Sequence, residues 1–334
     1  MRTFILYKAM ANLKTTFAGL KLKNPVIISS SGLTDTPDKI KQLENAGAAA
    51  VVLKSVFEEQ IHAQTGTLHR YGSPEADDYL NTYVRSHMLD AHISLLKETK
   101  KHCTIPVIAS INCYSDQEWT NFAVLMEQAG ADALEINILA LQTEKNYIPG
   151  SFEQRHLNIL RRVKKEVKIP VIMKLGNNFT NPVTLIDQLY ANGADAVVLF
   201  NRLYQPDIDI DRLTIGSTDV MSQPGELASR LRWTAIASAA VPQLDYAISG
   251  GVHNGKCLAK SILAGAAAAE VCTAVYRHGT PVIATMLDEL SQWMDNKGFD
   301  TLAQYKGKLN AQVAGDINPF ERTQFMKYYS EHHE

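Results

Sequence analysis

The stretch Pro170–Asn201, PVIMKLGNNFTNPVTLIDQLYANGADAVVLFN, decides the fold. It opens on a short apolar run that ends in lysine, Pro170–Lys174, and leads into an amphipathic pattern over Pro182–Ala191. Asn192-Gly193-Ala194 closes that pattern, with glycine where a helix C-cap needs positive φ. A second apolar run, Ala196–Asn201, follows at once. Unbroken runs rich in Val and Ile, rather than alternating ones, suit strands buried on both faces. The stretch therefore reads as strand, helix and parallel strand.

Working outward, the same unit recurs along the chain. Apolar runs ending in polar residues stand at Pro25–Ser30, Ala49–Ser55, Ile105–Asn112, Ala133–Asn137, Pro170–Lys174, Ala196–Asn201, Asp245–Gly251 and Glu270–Thr273. Helical patterns lie between them at Pro37–Ala46, Gln117–Ala129, Glu153–Lys165 and Asn254–Ala264, several closed by A-G-A. Eight units with strand ends from near residue 30 to near residue 273, about 35 residues apart, predict a (β/α)₈ TIM barrel. The rival, a doubly wound sheet, would need only five or six. Thr15–Lys23 predicts a short N-terminal hairpin turning at Ala18-Gly19. Arg202–Gly225 has no clear helix and predicts a lid-like insertion after the sixth strand.

Composition narrows the function classes. The 334 residues carry 33 Lys+Arg against 35 Asp+Glu, and a net charge of −2 gives no electrostatic reason to expect nucleic acid or an anionic membrane as partner. No apolar run is long enough for a transmembrane helix. The four cysteines, Cys103, Cys113, Cys257 and Cys272, are scattered, which suits neither a disulfide framework nor a metal site, and a reducing cytoplasm is the expected compartment. The first nine residues are given no role, Met10 opening a more natural start. No Pro/Ser-rich linker divides the chain, so residues 11–310 are expected to form one domain, with 311–334 as a C-terminal extension.

A barrel builds its active site at the C-terminal ends of the strands. Those positions read Ser30-Ser31-Gly32, Lys54-Ser55, Asn112, Glu135 and Asn137, Lys174, Asn201, Ser249-Gly250-Gly251 and Thr273. A strand-end lysine needs a compensating anion, which a ligand or a plain ion pair supplies. Asparagine offers donor and acceptor together to a planar ligand. Gly250-Gly251 in the seventh unit, ahead of a helix near Asn254, predicts a phosphate site, with the helix N-terminus adding its dipole. A tight turn is the alternative. Trp119, Trp233 and Trp293 fall on helical patterns and are expected to pack in the core.

TTFAGLKLKNPVIISSSG, VVLKS, ALEIN, VIMKLG, LFN, SGGV, CTAVYRHG and YKGKL, spread from about Leu13 to Leu309, resemble the dihydroorotate dehydrogenases of the soluble, cytoplasmic, FMN-containing type. The resemblance implies an FMN-dependent enzyme of pyrimidine biosynthesis that passes hydride from a CH–CH bond to flavin N5. It implies Ser31 and Gly32 beside the ring, and Lys54 and Ser55 at flavin and substrate. It implies Asn137 between the two, Lys174 at the N1/O2 side, and Asn201 on substrate. Gly250, Gly251, Cys272 and Thr273 match the phosphate cradle. Soluble members are often homodimers, and a small molecule is the partner implied.

The resemblance fails at the base. Ala140 stands where the family has its proton-accepting Cys or Ser, and alanine accepts no proton. Gln142 replaces a substrate asparagine, and the family's substrate loop is not recognisable in Tyr71–His87. Cys113 is the first substitute candidate, against the plainer reading of a small buried apolar group. Tyr114, Glu135, Thr143, Lys145 and Tyr204 follow, while His62, His69 and His87 read as surface residues. Cys272 is expected to pack beside the phosphate loop. Two other readings stand beside the oxidoreductase: a flavin-free lyase or aldolase with Lys174 or Lys54 as Schiff-base nucleophile, and a flavin-binding protein without turnover. No cysteine cluster for an iron–sulfur centre and no anchor segment ahead of the barrel are present, so a quinone route is not expected.

Overall fold

A computed structural model describes residues 11–57, 89–112, 118–138, 140–203, 205–217, 219–313 and 320. Two short strands, β1 (Thr15–Phe17) and β2 (Leu20–Leu22), form the expected hairpin, and Ala18 and Gly19 turn it with φ of +49° and +76°. Positive φ at both turn residues is the geometry that matches the twist of the flanking strands.

The barrel strands are β3 (Val26–Ile28), β4 (Ala50–Val52), β6 (Val107–Asn112), β7 (Ala133–Asn137), β8 (Val171–Leu175), β9 (Ala196–Leu199), β12 (Asp245–Ser249) and β13 (Ala268–Val271). Each pairs in parallel with its neighbours, and contacts of β13 with β3 and of β4 with β6 close the ring. A short continuation, β5 (Val56–Phe57), pairs with β6 further along. Helices separate the strands: α1 (Pro37–Asn45), α2 (89–102), α3 (Glu118–Gln128), α4 (Ser151–Glu166), α5 (Pro182–Ala191), α6 (Leu227–Ala240) and α7 (Gly255–Leu263). After β13 come α8 (Thr273–His278) and α9 (Val282–Lys297). The fold is the (β/α)₈ barrel expected.

Two details differ from expectation. The eighth strand begins at Ala268, two residues before the run Glu270–Thr273, and Thr273 already opens α8. Alanines 266–269 carry little strand propensity, but the crowded barrel wall selects small residues there. The insertion after β9 is not irregular, because β10 (Pro206–Asp209) and β11 (Thr214–Ser217) pair antiparallel within it.

Side chains alternate across the barrel wall. Val26, Ile28, Val107, Leu134, Ile136, Val171 and Met173 face outward into the core under the helices. Ile27, Ala50, Val52, Ile108, Ala133, Ile172, Ala196, Val198, Ala247 and Ala268 form a separate apolar cluster with Phe17, Ala18 and Leu22 of the hairpin. Thr15 Oγ1 donates to the carbonyl of Ala267 and the Ala18 N–H to Asp245 Oδ2, both at strand starts. The hairpin therefore plugs the N-terminal mouth, and ligand access is left to the other end.

Candidate active site

One step further along the strands, the inward positions change character. Ser29, Ser110, Glu135, Lys174 and Glu270 occupy the interior above the apolar layer, and all are buried. Lys174 Nζ donates to Glu270 Oε2 at 2.5 Å, to Ser29 Oγ at 3.2 Å and to Glu135 Oε1 at 3.4 Å. Ser29 Oγ donates to the same Glu270 oxygen at 3.0 Å. Burial opposes the charge on Lys174, but the two carboxyls outweigh it and hold the ammonium above its ordinary value. Burial and the neighbouring Glu270 charge push Glu135 well up, whereas Lys174 overcomes burial and keeps Glu270 low.

Above this layer lies a cavity of about 620 Å³, within the range of small-molecule sites. Its floor carries Lys174, Glu270 and Ser29, and its wall includes Asn137 and Asn201. Asn201 Nδ2 donates to Asn137 Oδ1 at 2.7 Å, so the two amides stand as one edge-to-edge unit. Lys54 is exposed at the same cavity. Beside it, Ser55 Oγ lies 3.0 Å from Ser30 Oγ and 2.7 Å from Ser110 Oγ.

Gly250 and Gly251, both at positive φ, line the opposite side. A Cβ on Gly251 would stand 2.5 Å from the backbone nitrogen of Leu227, so only glycine lets this loop pack against the start of α6. A Cβ on Gly250 would meet the Arg230 guanidinium at 3.2 Å. The N–H groups of both glycines donate to no backbone acceptor among the described residues, as an anion cradle requires. The helix contribution differs from expectation. Asn254 caps the Cys257 N–H of α7, and Glu289 Oε2 takes the Gly255 N–H at 2.7 Å. With a carboxylate already on that end, the loop rather than the α7 dipole is left to hold an anion.

The returning arm of the insertion is tied down here. Ser222 donates from N–H and hydroxyl to Thr273 Oγ1, each at 3.0 Å, and its Oγ lies 3.2 Å from His253 Nε2. Arg202 donates to the carbonyls of Asp219 and Val220, and Arg202 and Arg230 both engage Glu226.

Of the residues singled out from sequence, Ser31, Gly32, Lys54, Ser55, Asn137, Lys174, Asn201, Gly250, Gly251, Cys272 and Thr273 line this one cavity. Gln142 is exposed and not among the lining residues, as are Thr143 and Lys145. Ala140 is half-buried, its carbonyl accepting from Asn178 Nδ2 at 2.9 Å. Cys113, Tyr114, Tyr204, His62, His69, His87 and the stretch Tyr71–His87 lie outside the described residues. Trp119 is fully buried, and Trp233 and Trp293 pack against the core. Sequence reasoning missed Glu270, Ser29 and Ser222. A charged or hydroxyl residue at an inward register position of an apolar strand is the signal that would have found the first two.

The sequence model described as dihydroorotate dehydrogenase matches residues 12–294. The chain belongs to the dihydroorotate dehydrogenase family. A relative from Thermoplasma volcanium, named dihydroorotate dehydrogenase B (NAD(+)), catalytic subunit, is 29% identical, over 89% of this chain and 98% of its own. A protein of the same name from Methanocella arvoryzae is 30% identical over 84% of this chain and 92% of its own. The Escherichia coli K12 protein named NAD-dependent dihydropyrimidine dehydrogenase subunit PreA is 24% identical over 90% of this chain and 78% of its own. As a member of the dihydroorotate dehydrogenase family, the chain is an oxidoreductase of the class acting on CH–CH donors. Among the described residues no helix is long and apolar enough to cross a membrane.

Proposed function

We propose that the chain is a cytoplasmic FMN-dependent oxidoreductase of dihydroorotate dehydrogenase type, acting on dihydroorotate or a related cyclic compound of pyrimidine metabolism. Residues 11–310 would be its FMN-binding domain. The observation that carries this reading is the buried Lys174 ammonium on the floor of a cavity whose far side is a glycine loop that tolerates no side chain. The donor set fits FMN: a cation for the pyrimidine end of a ring, paired amides for its edge, and loop N–H groups for a phosphate. When bound, FMN supplies a two-electron acceptor for hydride.

The chain's own residues do the rest. Lys174 offers fixed positive charge where negative charge develops on the acceptor. Asn137 and Asn201 orient a planar substrate, and Lys54 at the rim suits a substrate carboxylate. Ser222, bonded to Thr273, closes the phosphate side against water. Ala140 leaves the family's base position without a proton acceptor, and Cys113 remains the candidate to replace it. The Schiff-base reading is disfavoured at Lys174, because a lysine held protonated by two carboxyls is no nucleophile.

The test is a visible spectrum of the purified protein, followed by anaerobic addition of dihydroorotate. Flavin bands that bleach support the proposal. Bands that persist exclude dihydroorotate and favour a related substrate or binding without turnover, while a colourless protein that takes up no added FMN overturns the reading. Sedimentation tests the implied homodimer.

A further inference from the structure

Lys174 has two carboxyls around it, and all three are almost wholly buried, Lys174 and Glu270 meeting the cavity only at its floor. Glu135 and Glu270 are 1% and 3% exposed, and Lys174 is 4% exposed. With both carboxyls ionised the cluster would bury a net negative charge, which is costly in this setting. One added proton makes the cluster neutral. Glu135 Oε2 is the atom placed to carry it, since no donor reaches it among the described residues. Glu270 has the shorter contact with Lys174 and a hydroxyl donor, Ser29, which favours its ionised form.

A path for that proton is also built. Ser30, half-buried at the cavity, contacts Ser55 Oγ at 3.0 Å, and Ser55 contacts Ser110 Oγ at 2.7 Å. Ser110 Oγ donates to Glu135 Oε1 at 3.5 Å. Each hydroxyl both donates and accepts, so the three serines form a continuous line from the cavity to the carboxyl. Ser29, Ser110, Lys174 and the Cys272 thiol, whose proton burial retains, are the other groups bearing on the pair.

We infer that Glu135 and Glu270 hold a single proton between them beneath Lys174, and that they take a second one from water through Ser30, Ser55 and Ser110 when negative charge arrives above the ammonium. The incoming proton reaches Glu135 Oε1 as the first passes from Glu135 to Glu270, so both carboxyls end neutral and Lys174 faces the ligand with its charge uncompensated. The pair thus acts as positioning residues for Lys174. The ligand half of this inference rests on the FMN reading above; the shared proton does not. The directions of titration of Glu135 and Glu270 agree with one proton on the pair.

Infrared spectra of flavin-free protein carrying ¹³C-labelled glutamate test the shared proton. The expected result is one buried protonated-carboxyl band near neutral pH, lost in Glu135→Gln and equally in Glu270→Gln, because the remaining carboxyl then ionises against Lys174. No band in wild type, or a band that survives Glu270→Gln, overturns the inference. Should Glu270→Gln fail to fold, the wild-type intensity decides: one protonated group in the pair supports it, none or two overturns it. FMN reduced by dithionite in weakly buffered solution tests the second proton. Wild type should take up one proton more per two electrons than the Glu135→Gln/Glu270→Gln double variant, and Ser110→Ala should reach the wild-type count more slowly. Equal counts in wild type and double variant overturn the second step. Protein that binds no FMN overturns the functional reading and the second step with it, and the infrared result still locates the first proton.

Discussion

The barrel interior has two storeys with opposite physics. The lower one, with Ile172 in it, is filled by apolar side chains and closed by Phe17, Ala18 and Leu22 of the hairpin. The upper one, with Lys174 two residues further along the same strand, is held by hydrogen bonds and charge. Strand alternation explains the pairing: two residues apart on β8, Ile172 and Lys174 fall on the same face of the barrel wall, one above the other. One strand thus carries an apolar interior at one end and a charged one at the other, and the two kinds of interior should fail differently.

The largest effect is expected at Lys174. Lys174→Ala strands two carboxyls in the interior, and breaking a buried pair in this way costs about 3–5 kcal/mol. Without the ammonium, burial acts unopposed and should raise both carboxyls above their ordinary value. A raised carboxyl contributes its stability at low pH and loses it as pH rises. The variant should therefore approach wild-type stability near pH 4 and lose it progressively towards pH 8, as read by urea unfolding at each pH. A deficit that does not change with pH would mean that the upper storey is held by packing after all.

Ile172→Ala is the matched control. It removes a large side chain from the lower storey and should cost about 2–5 kcal/mol through a cavity. No titrating group is touched, so the same urea series should give a pH-independent deficit. A slope like that of Lys174→Ala would merge the two storeys into one network.

This contrast also marks how far the sequence was legible. The eight units, the hairpin and most of the residues that line the cavity are legible because each leaves a local trace: an apolar run, a turn glycine, a polar strand end. Glu270 left none of use, because alanines precede it and the strand was placed two residues late. Glu135 was noticed as a candidate base, yet its partnership with Lys174 and Glu270 depends on three strands meeting in one layer, and no single segment encodes that. Gln142 matches the family only by its place in a motif, and segment 140–150 has no regular structure to carry it towards the cavity.

Gly251→Ala probes the side proposed to hold phosphate, where neither storey reaches. The added Cβ meets the Leu227 backbone at a position with φ of +78°, and strain of this kind costs about 1–3 kcal/mol. The barrel should still fold, and the loss should fall mainly on FMN, with at least a tenfold weaker affinity by flavin fluorescence and a smaller change for riboflavin, which lacks the phosphate. Equal losses for both would detach the loop from phosphate binding.

The smallest effect is expected outside the barrel, where charge also acts but in the opposite sense to Glu135. Glu44 of α1 accepts from the Thr104 N–H at 2.8 Å, the Thr104 hydroxyl at 2.6 Å and the Ile105 N–H at 3.2 Å, just ahead of β6. Burial works to raise it, but Lys41 and Thr104 outweigh burial and hold it down to about 2. A depressed carboxyl gives stability that is complete above its unfolded value and lost as pH falls through the folded one. Wild type should lose this contribution between about pH 4.5 and pH 2. Glu44→Gln keeps one acceptor oxygen and should cost about 1 kcal/mol at neutral pH, with a flatter acid limb in thermal melts. An acid limb as steep in the variant as in wild type would assign acid sensitivity to other carboxyls, Glu270 among them, and leave Glu135, whose raised carboxyl acid does not weaken, as the sharper of the two charge devices.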